Sequence, residues 1–294
     1  MSKINKTKTT LLVDGNNLLH RVFWVASKIS RGRPESLFLA SIRKLVNEWE
    51  PTDVFVAWDS RLIRDTPNFR KELNPDYKGN RDLERNKEVY EYELPIRKLL
   101  KPLGVKSIHP GVLEADDVIG YLCDMLPGYK VVVSSDQDLL QLLSPATQVH
   151  NPIKKVTYNL QNFTDYFPVP HEKFLDFKAL MGDKSDNIAG IPKVGPKRAS
   201  SIVRSGVRDT LSDSEFKIYT DNLKMVDITY GLKSHPEEKS IYKYQVTELE
   251  SLQPDYTLFS EACEEIGISD AMDYNYDMFF KDRDINSSVL SLLS

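Results

Sequence analysis

Only two cysteines, Cys123 and Cys263, occur among the 294 residues, far apart and without the paired spacing of a thiolate metal site. That excludes a disulfide framework, and the thiols are expected to be reduced and structural. Long apolar runs are missing as well. Nothing approaches the roughly 20 apolar residues of a membrane span, and the opening MSKINKTKTT is polar, with no apolar signal core. The chain is therefore expected to be soluble and intracellular. His20, His109, His150, His171 and His235 are scattered without ligand spacing, so a histidine zinc site has no support. Neither a GxxxxGK[ST] phosphate cradle nor a GxGxxG turn after the first apolar run is present. An excess of positive charge is lacking too: the net charge is -4, and any polyanion binding must rest on local asymmetry.

What the sequence does have is a set of short, continuous apolar runs rich in β-branched residues. TLLVD (10–14), VFVAWD (54–59) and VVVSSD (131–136) read as buried strands, each closing on an aspartate: Asp14, Asp59 and Asp136. Helical patterns lie between them, as in ESLFLASIRKLVNEW and EADDVIGYLCDML, so the order β-α-β-α-β implies an α/β fold with a mainly parallel central sheet flanked by helices. Parallel strands joined by right-handed crossovers gather their C-terminal ends along one edge, where ligands bind at a topological switch point. Any one aspartate after a strand could equally be a turn former or helix cap. Beyond Tyr158 the character changes to a glycine- and proline-punctuated helical region reaching about Gly231, and the tail from 232 reads as packed but functionally silent. The domains expected are an α/β core over 1–158, a helical subdomain over 159–231 and a C-terminal packing segment over 232–294.

Negative charge is crowded where a core would not tolerate it without reason. GVLEADDVIG sets Glu114, Asp116 and Asp117 within four positions. Two carboxylates about 5 Å apart repel by roughly 3 kcal/mol at an effective dielectric near 20. Asp136 and Asp138 sit two apart, on one side of an extended chain, and Asp183 and Asp186 three apart, on one face of a helical turn. Oxygen-rich sites of this kind suit Mg²⁺ above other cations. Two ions about 3.5–4 Å apart would activate a water and stabilise the leaving oxygen of an in-line displacement, so phosphodiester hydrolysis is the leading reaction class. VDGNN also resembles the start of an aspartyl-phosphate phosphatase, but Asn16 stands where the second acid is needed.

Two segments could hold a polyanion. Between Arg61 and Lys106 basic residues are dense, though acids interleave and a solvated helical surface would look the same. At its centre, NPDYKGNR, Tyr77 could stack on a base while Lys78 and Arg81 meet a phosphate. The second segment is GIPKVGPKRAS. Gly190 and Gly195 allow a tight turn, Pro196 starts a helix whose N-terminus favours a phosphate, and Lys193, Lys197 and Arg198 add charge, with no acid between positions 187 and 208. Such contacts grip a duplex backbone without reading bases.

LLVDGNNLLHR, FVAWD, YKGNR, GVLEADDVIG, VVVSSDQDLLQLL and MGDKSDNIAGIPKVGPKRA, in this order, resemble the 5′ nucleases: flap endonucleases, the N-terminal nuclease module of bacterial polymerase I, and stand-alone phage 5′ exonuclease/RNase H enzymes. The resemblance spans about residues 10–205 and implies a PIN-like core, a helical arch or clamp within about 61–106, and a helix-three-turn-helix subdomain. It implies a first metal cluster of Asp14, Asp59, Glu114, Asp116 and Asp117 and a second of Asp136, Asp138, Asp183 and Asp186, holding two or more Mg²⁺ ions for which Mn²⁺ substitutes. It makes Lys78 and Arg81 the basic groups at the scissile phosphate. Arg21, Tyr77, Gly190, Lys193, Val194, Gly195, Lys197 and Arg198 become DNA-contact candidates, with K⁺ at the 190–198 hairpin. The implied activity is 5′-to-3′ exonuclease and flap endonuclease, with primer removal from RNA-DNA hybrids. The implied setting is a monomer in a bacterial or phage-infected cytoplasm, with a replication polymerase or single-strand-binding protein as partner. The competing readings are a non-catalytic duplex-DNA-binding protein and a PIN-type ribonuclease lacking arch and hairpin.

Overall fold

The computed structural model describes residues 8–59, 69–80, 83–269 and 275–280. Six strands form its main sheet: β1 (Thr9–Asp14), β2 (Asp53–Ala57), β3 (Lys106–Ile108), β4 (Tyr129–Val133), β5 (Thr147–Asn151) and β6 (Val156–Tyr158). Their spatial order is β3-β2-β1-β4-β5-β6, parallel throughout except for the antiparallel edge strand β6. The chain builds outward from β1 to β3 on one side, then returns to place β4 on the other side of β1. The switch point is thus the crevice between β1 and β4, the place where open α/β sheets bind ligands.

Strand periodicity decides which core each residue joins. Leu11 and Val13 of β1, Val54 and Val56 of β2, and Val131 and Val133 of β4 enter one buried cluster. Leu12, Phe55, Ala57 and Val132 point the other way, into a second. The first face is covered by α1 (Gly15–Ala26), α2 (Pro34–Trp49) and, after the short α3 (Phe69–Leu73) and α4 (Leu83–Tyr90), by α5 (Glu93–Leu100). On the second face lies α6 (Ala115–Met125), whose Val118, Ile119 and Leu122 are fully buried.

The helical part begins with α7 (Phe174–Met181) and a two-residue hairpin, β7 (Gly182–Asp183) paired with β8 (Ile188–Ala189). It continues through α8 (Pro196–Ser205), α9 (Val207–Thr210), α10 (Asp213–Val226) and α11 (Ile228–Ser234). α10 packs on α7, and α11 packs on α6, joining this part to the sheet. α12 (Glu238–Glu250) lies against β3, α13 (Tyr256–Ile266) lies against α5, and α14 (Asp277–Phe280) adds Phe279 to the first core. Among the described residues, no helix is long and apolar enough to cross a membrane. Both cysteines are buried, and burial pushes the Cys123 thiol up to about 12.

Two differences from the sequence reading matter for the site. The segment expected to form an arch up to about residue 106 is core from α5 onward, because Ile96, Leu99 and Leu100 are fully buried and Lys106 opens β3. Part of its positive charge is spent internally: Arg97 pairs with Glu93, Lys98 with Glu265 and Lys106 with Asp53. The tail from 232, expected to be silent, reaches the loop before α6.

Candidate active site

The switch-point crevice opens into a cleft of about 310 Å³ lined by Asp14, Asp59, Glu114, Asp116 and Asp136, with Asn16, Asn17, His20, Lys78 and Tyr90 around them. Backbone N–H groups hold three of these carboxylates, Asp14, Asp59 and Asp136. Asp14, the last residue of β1, caps α1: its Oδ1 accepts from Asn17 N–H at 2.9 Å, and its Oδ2 accepts from the Ser134 hydroxyl at 2.8 Å. Capping α1 does not take this aspartate out of the cleft. Asp59 Oδ1 accepts from Ala115 N–H at 3.0 Å, tying the end of β2 to the start of α6. Asp136 Oδ1 accepts from Asp138 N–H at 2.8 Å. Burial pushes Asp14 up to about 7, with Asp59 and Asp136 adding to the rise, and burial together with Asp136 and Asp14 drives Asp116 well above the carboxylate range.

Glu114 is the hub. Lys78 Nζ lies 2.6 Å from its Oε1, while Arg70 Nη1 and the Tyr77 hydroxyl each lie 3.0 Å from its Oε2. Burial alone would raise this acid, but Lys78 and Arg70 overcome it and bring Glu114 down to about 2. Arg70 also grips Asp117 with two nitrogens, at 3.0 and 3.1 Å, and donates from Nε to the Met225 carbonyl at the end of α10. Asp117 is fully buried, and its Oδ2 accepts from Glu114 N–H as part of a capping box. Its expected place as a metal ligand does not fit this arrangement, because both oxygens are taken inside the fold and the residue does not line the cleft. Tyr77 likewise departs from expectation. Only 2% exposed, it has no open face for a base, and its hydroxyl lies between Glu114 and Asp186, 3.1 Å from the latter.

The second group of acids is organised by a lysine that the sequence did not single out. Lys178 Nζ, from α7, lies 2.7 Å from Asp138 Oδ1 and 2.6 Å from Asp183 Oδ2. Asp183 Oδ1 accepts from the backbone and hydroxyl of Ser185, and burial of Asp183 is outweighed by Lys178 and Ser185, so its pKa falls. Burial and Asp136 push Asp138 up to about 7 against the pull of Lys178. Among the described residues, no three carboxylate, histidine or cysteine side chains close into a metal cage. The internal cations Arg70, Lys78 and Lys178 occupy several of the oxygens that would be needed. The donor set still fits Mg²⁺, which keeps several waters and takes only one or two direct carboxylates.

Residues 9–167 match the family model for the 5′-3′ exonuclease N-terminal resolvase-like domain, and residues 169–227 match that for the 5′-3′ exonuclease C-terminal SAM fold. The chain belongs to the 5′-3′ exonuclease family. It is 30% identical over 208 residues to the 5′-3′ exonuclease of Buchnera aphidicola subsp. Schizaphis graminum, covering 68% of this chain and 71% of that protein. It is 31% identical over 201 residues to flap endonuclease Xni of Shewanella loihica, covering 66% and 75%. In fold it is similar to the T5 D15 protein co-crystallised with metal ions, at a TM-score of 0.68 and 23% identity over 83% of this chain and 99% of that one.

Within this 5′-3′ exonuclease fold the remaining sequence candidates are spread out. Arg81 lies outside the described residues. Arg21 is half-buried on α1, burial lowers its pKa, and it does not line the cleft. At the hairpin, Lys193, Gly195, Lys197 and Arg198 are exposed while Val194 is buried. Gly190 and Gly195 are glycines for different reasons. A Cβ at Gly190 would sit 2.2 Å from the Met181 carbonyl oxygen, whereas one at Gly195, the N-cap of α8, would meet nothing within 4 Å. His20 and Tyr90, packed edge-on with ring centroids 5.7 Å apart at the cleft, were not picked out. Their signal is only an imidazole next to Arg21 and a tyrosine ending a charge-balanced helix.

Proposed function

We propose that this chain is a divalent-metal-dependent 5′-to-3′ nuclease that hydrolyses phosphodiesters in DNA with 5′ flaps, nicks or free 5′ ends, and in RNA-DNA hybrids. The observation that carries this reading is the meeting of Asp14, Asp59, Glu114, Asp116 and Asp136 in one cleft at the sheet's switch point, with Lys78 among them. Asp138, Asp183 and Asp186 would complete a second group beside it. Mg²⁺ or Mn²⁺ ions at these acids would supply water activation and charge neutralisation for an in-line displacement. The chain's own residues do the rest: Lys78, aimed by Glu114, is placed to meet charge developing on the phosphate, and Arg70 and Lys178 keep the acids spaced while no substrate is present. Lys193, Lys197, Arg198 and the α8 N-terminus would hold the duplex backbone, with K⁺ at the same hairpin. The relatives' names support the nuclease class, and the T5 D15 flap endonuclease has been solved with DNA and metal ions. The protein would work as a monomer in the cytoplasm beside a replication polymerase or single-strand-binding protein.

The test is cleavage of a 5′-labelled flap duplex with Mg²⁺ and with excess chelator. Mg²⁺-dependent cleavage is expected, abolished by Asp14→Asn and by Asp116→Asn. A folded wild type that leaves the flap intact in Mg²⁺ and Mn²⁺, yet binds the duplex, would favour the non-catalytic reading.

A further inference from the structure

Glu114 and Asp116 of the cleft follow a loop that belongs to neither β3 nor α6, and its partners come from a helix beyond both family-model matches. Residues 109–114 carry the chain from the end of β3 to the N-cap of α6. Backbone groups buried in such a loop need partners that no ladder supplies. α12 supplies them. Gln245 accepts from His109 N–H at 2.9 Å and donates to His109 C=O at 2.6 Å, reproducing with one amide the pairing of a neighbouring strand. Glu238, 1% exposed, accepts from Gly111 N–H at 2.9 Å and from Val112 N–H at 2.6 Å, one oxygen to each. The two side chains are seven positions apart, two helical turns along one face. Gly111 must lack a side chain for this contact, since a Cβ there would stand 2.7 Å from Glu238 Oε1.

Only Leu113, itself fully buried, separates this pinned stretch from Glu114, and Ala115 then meets Asp59. We propose that α12 is the positioning element of the acidic turn, with Glu238 and Gln245 fixing the loop that sets Glu114 and Asp116 for metal binding. This rests on the nuclease reading above. Glu238 presents two charge-assisted acceptors to two donors. A glutamine in its place turns one acceptor into a donor facing an N–H, so the loop must shift while the helix remains.

Mn²⁺ binding to the full chain, read by calorimetry beside the thermal melt, tests this with Glu238→Gln and Gln245→Leu. Both variants are expected to melt cooperatively and to bind Mn²⁺ roughly tenfold or more weakly, as outer partners of metal ligands do. The Mg²⁺ concentration for half-maximal flap cleavage should rise in step, with cleavage recovering at saturating Mg²⁺. A wild type that binds no Mn²⁺ would remove the nuclease reading itself. A wild type that binds, with variants of lowered Tm and unchanged Mn²⁺ affinity, would make α12 a purely structural brace and overturn the inference. If Glu238→Gln does not fold, Gln245→Leu alone decides by the same criterion.

Discussion

Lys78 Nζ lies 2.6 Å from Glu114 Oε1, in a residue whose backbone is itself left-handed, with φ of 54°. A non-glycine residue in that region stores strain of order 1–3 kcal/mol. Two acids hold it there: Glu114 at the ammonium and Asp186, whose carbonyl accepts from Lys78 N–H at 2.9 Å. Replacing Lys78 with Ala is expected to lower the single-turnover rate of flap cleavage about 100-fold, the scale of removing one stabilising donor from a reacting oxygen. Duplex affinity without metal should change far less; equal loss in both would count against a role at the phosphate.

The metal-free protein should lose stability as pH rises from about 5 to 7.5. Asp14 and Asp138 are each held by burial at about 7, so between the ordinary carboxylate range and about 7 the fold retains protons that the unfolded chain has already given up. Their contribution is complete below the ordinary carboxylate range and gone once the pH passes about 7. An isolated carboxyl so displaced loses on the order of 4 kcal/mol, less when acids titrate together. Glu114, held at about 2, works in the opposite sense and only at lower pH. Thermal melts in chelator should show Tm falling by several degrees, and Mg²⁺ should restore more at pH 7.5 than at pH 5.

Arg70 is a structural cation. Its guanidinium is buried between Glu114 and Asp117, and those acids overcome burial to hold its pKa well above normal. Arg70→Met leaves the buried Asp117 without its counter-charge and Glu114 with Lys78 alone, and should cost roughly 3–5 kcal/mol in urea unfolding. The salt dependence of duplex binding should not change, because no phosphate contact is lost.

Lys197 is expected to do the reverse. Lys197→Ala should leave urea stability unchanged and reduce the slope of log K against log salt by about 1. The affinity deficit is then greatest at low salt and closes as salt rises. A deficit of constant size at every salt concentration would argue against a phosphate contact.

The two hairpin glycines should separate folding from binding. Gly190→Ala drives a methyl group into the Met181 carbonyl and should cost about 2 kcal/mol or more. Gly195→Ala meets no protein atom, so the melt should match wild type while duplex Kd weakens, if backbone and phosphate approach closely at the α8 N-terminus.

The parallel core and the strand-end acids were legible in the sequence because both follow from local rules: a buried strand announces itself as an apolar run, and parallel crossovers put strand ends on one edge. Strands β3, β5 and β6 were missed, since KSI and VTY are short and TQVHN carries polar residues that are buried nonetheless. Tyr77 and Asp117 were given exposed or ligand roles because nothing in a tyrosine or an aspartate says which partner will bury it. Arg70 and Met225 are 155 positions apart, and Val112 and Glu238 are 126 apart. Such pairings exist only once the helical part has closed on the sheet. Lys178 was hidden for a similar reason: on α7 it looks like one more solvated lysine until Asp138 arrives from beyond β4.

The Tyr77 hydroxyl, set between Glu114 of the α/β core and Asp186 of the small hairpin, makes a peg between the sheet and the helical part. A polynucleotide is a ruler with fixed graduations, one phosphate after another along a strand. A site pegged in this way is a calliper whose jaws are set by a phenol, so Tyr77→Phe should blur the position of the cut along the strand before it slows the cutting.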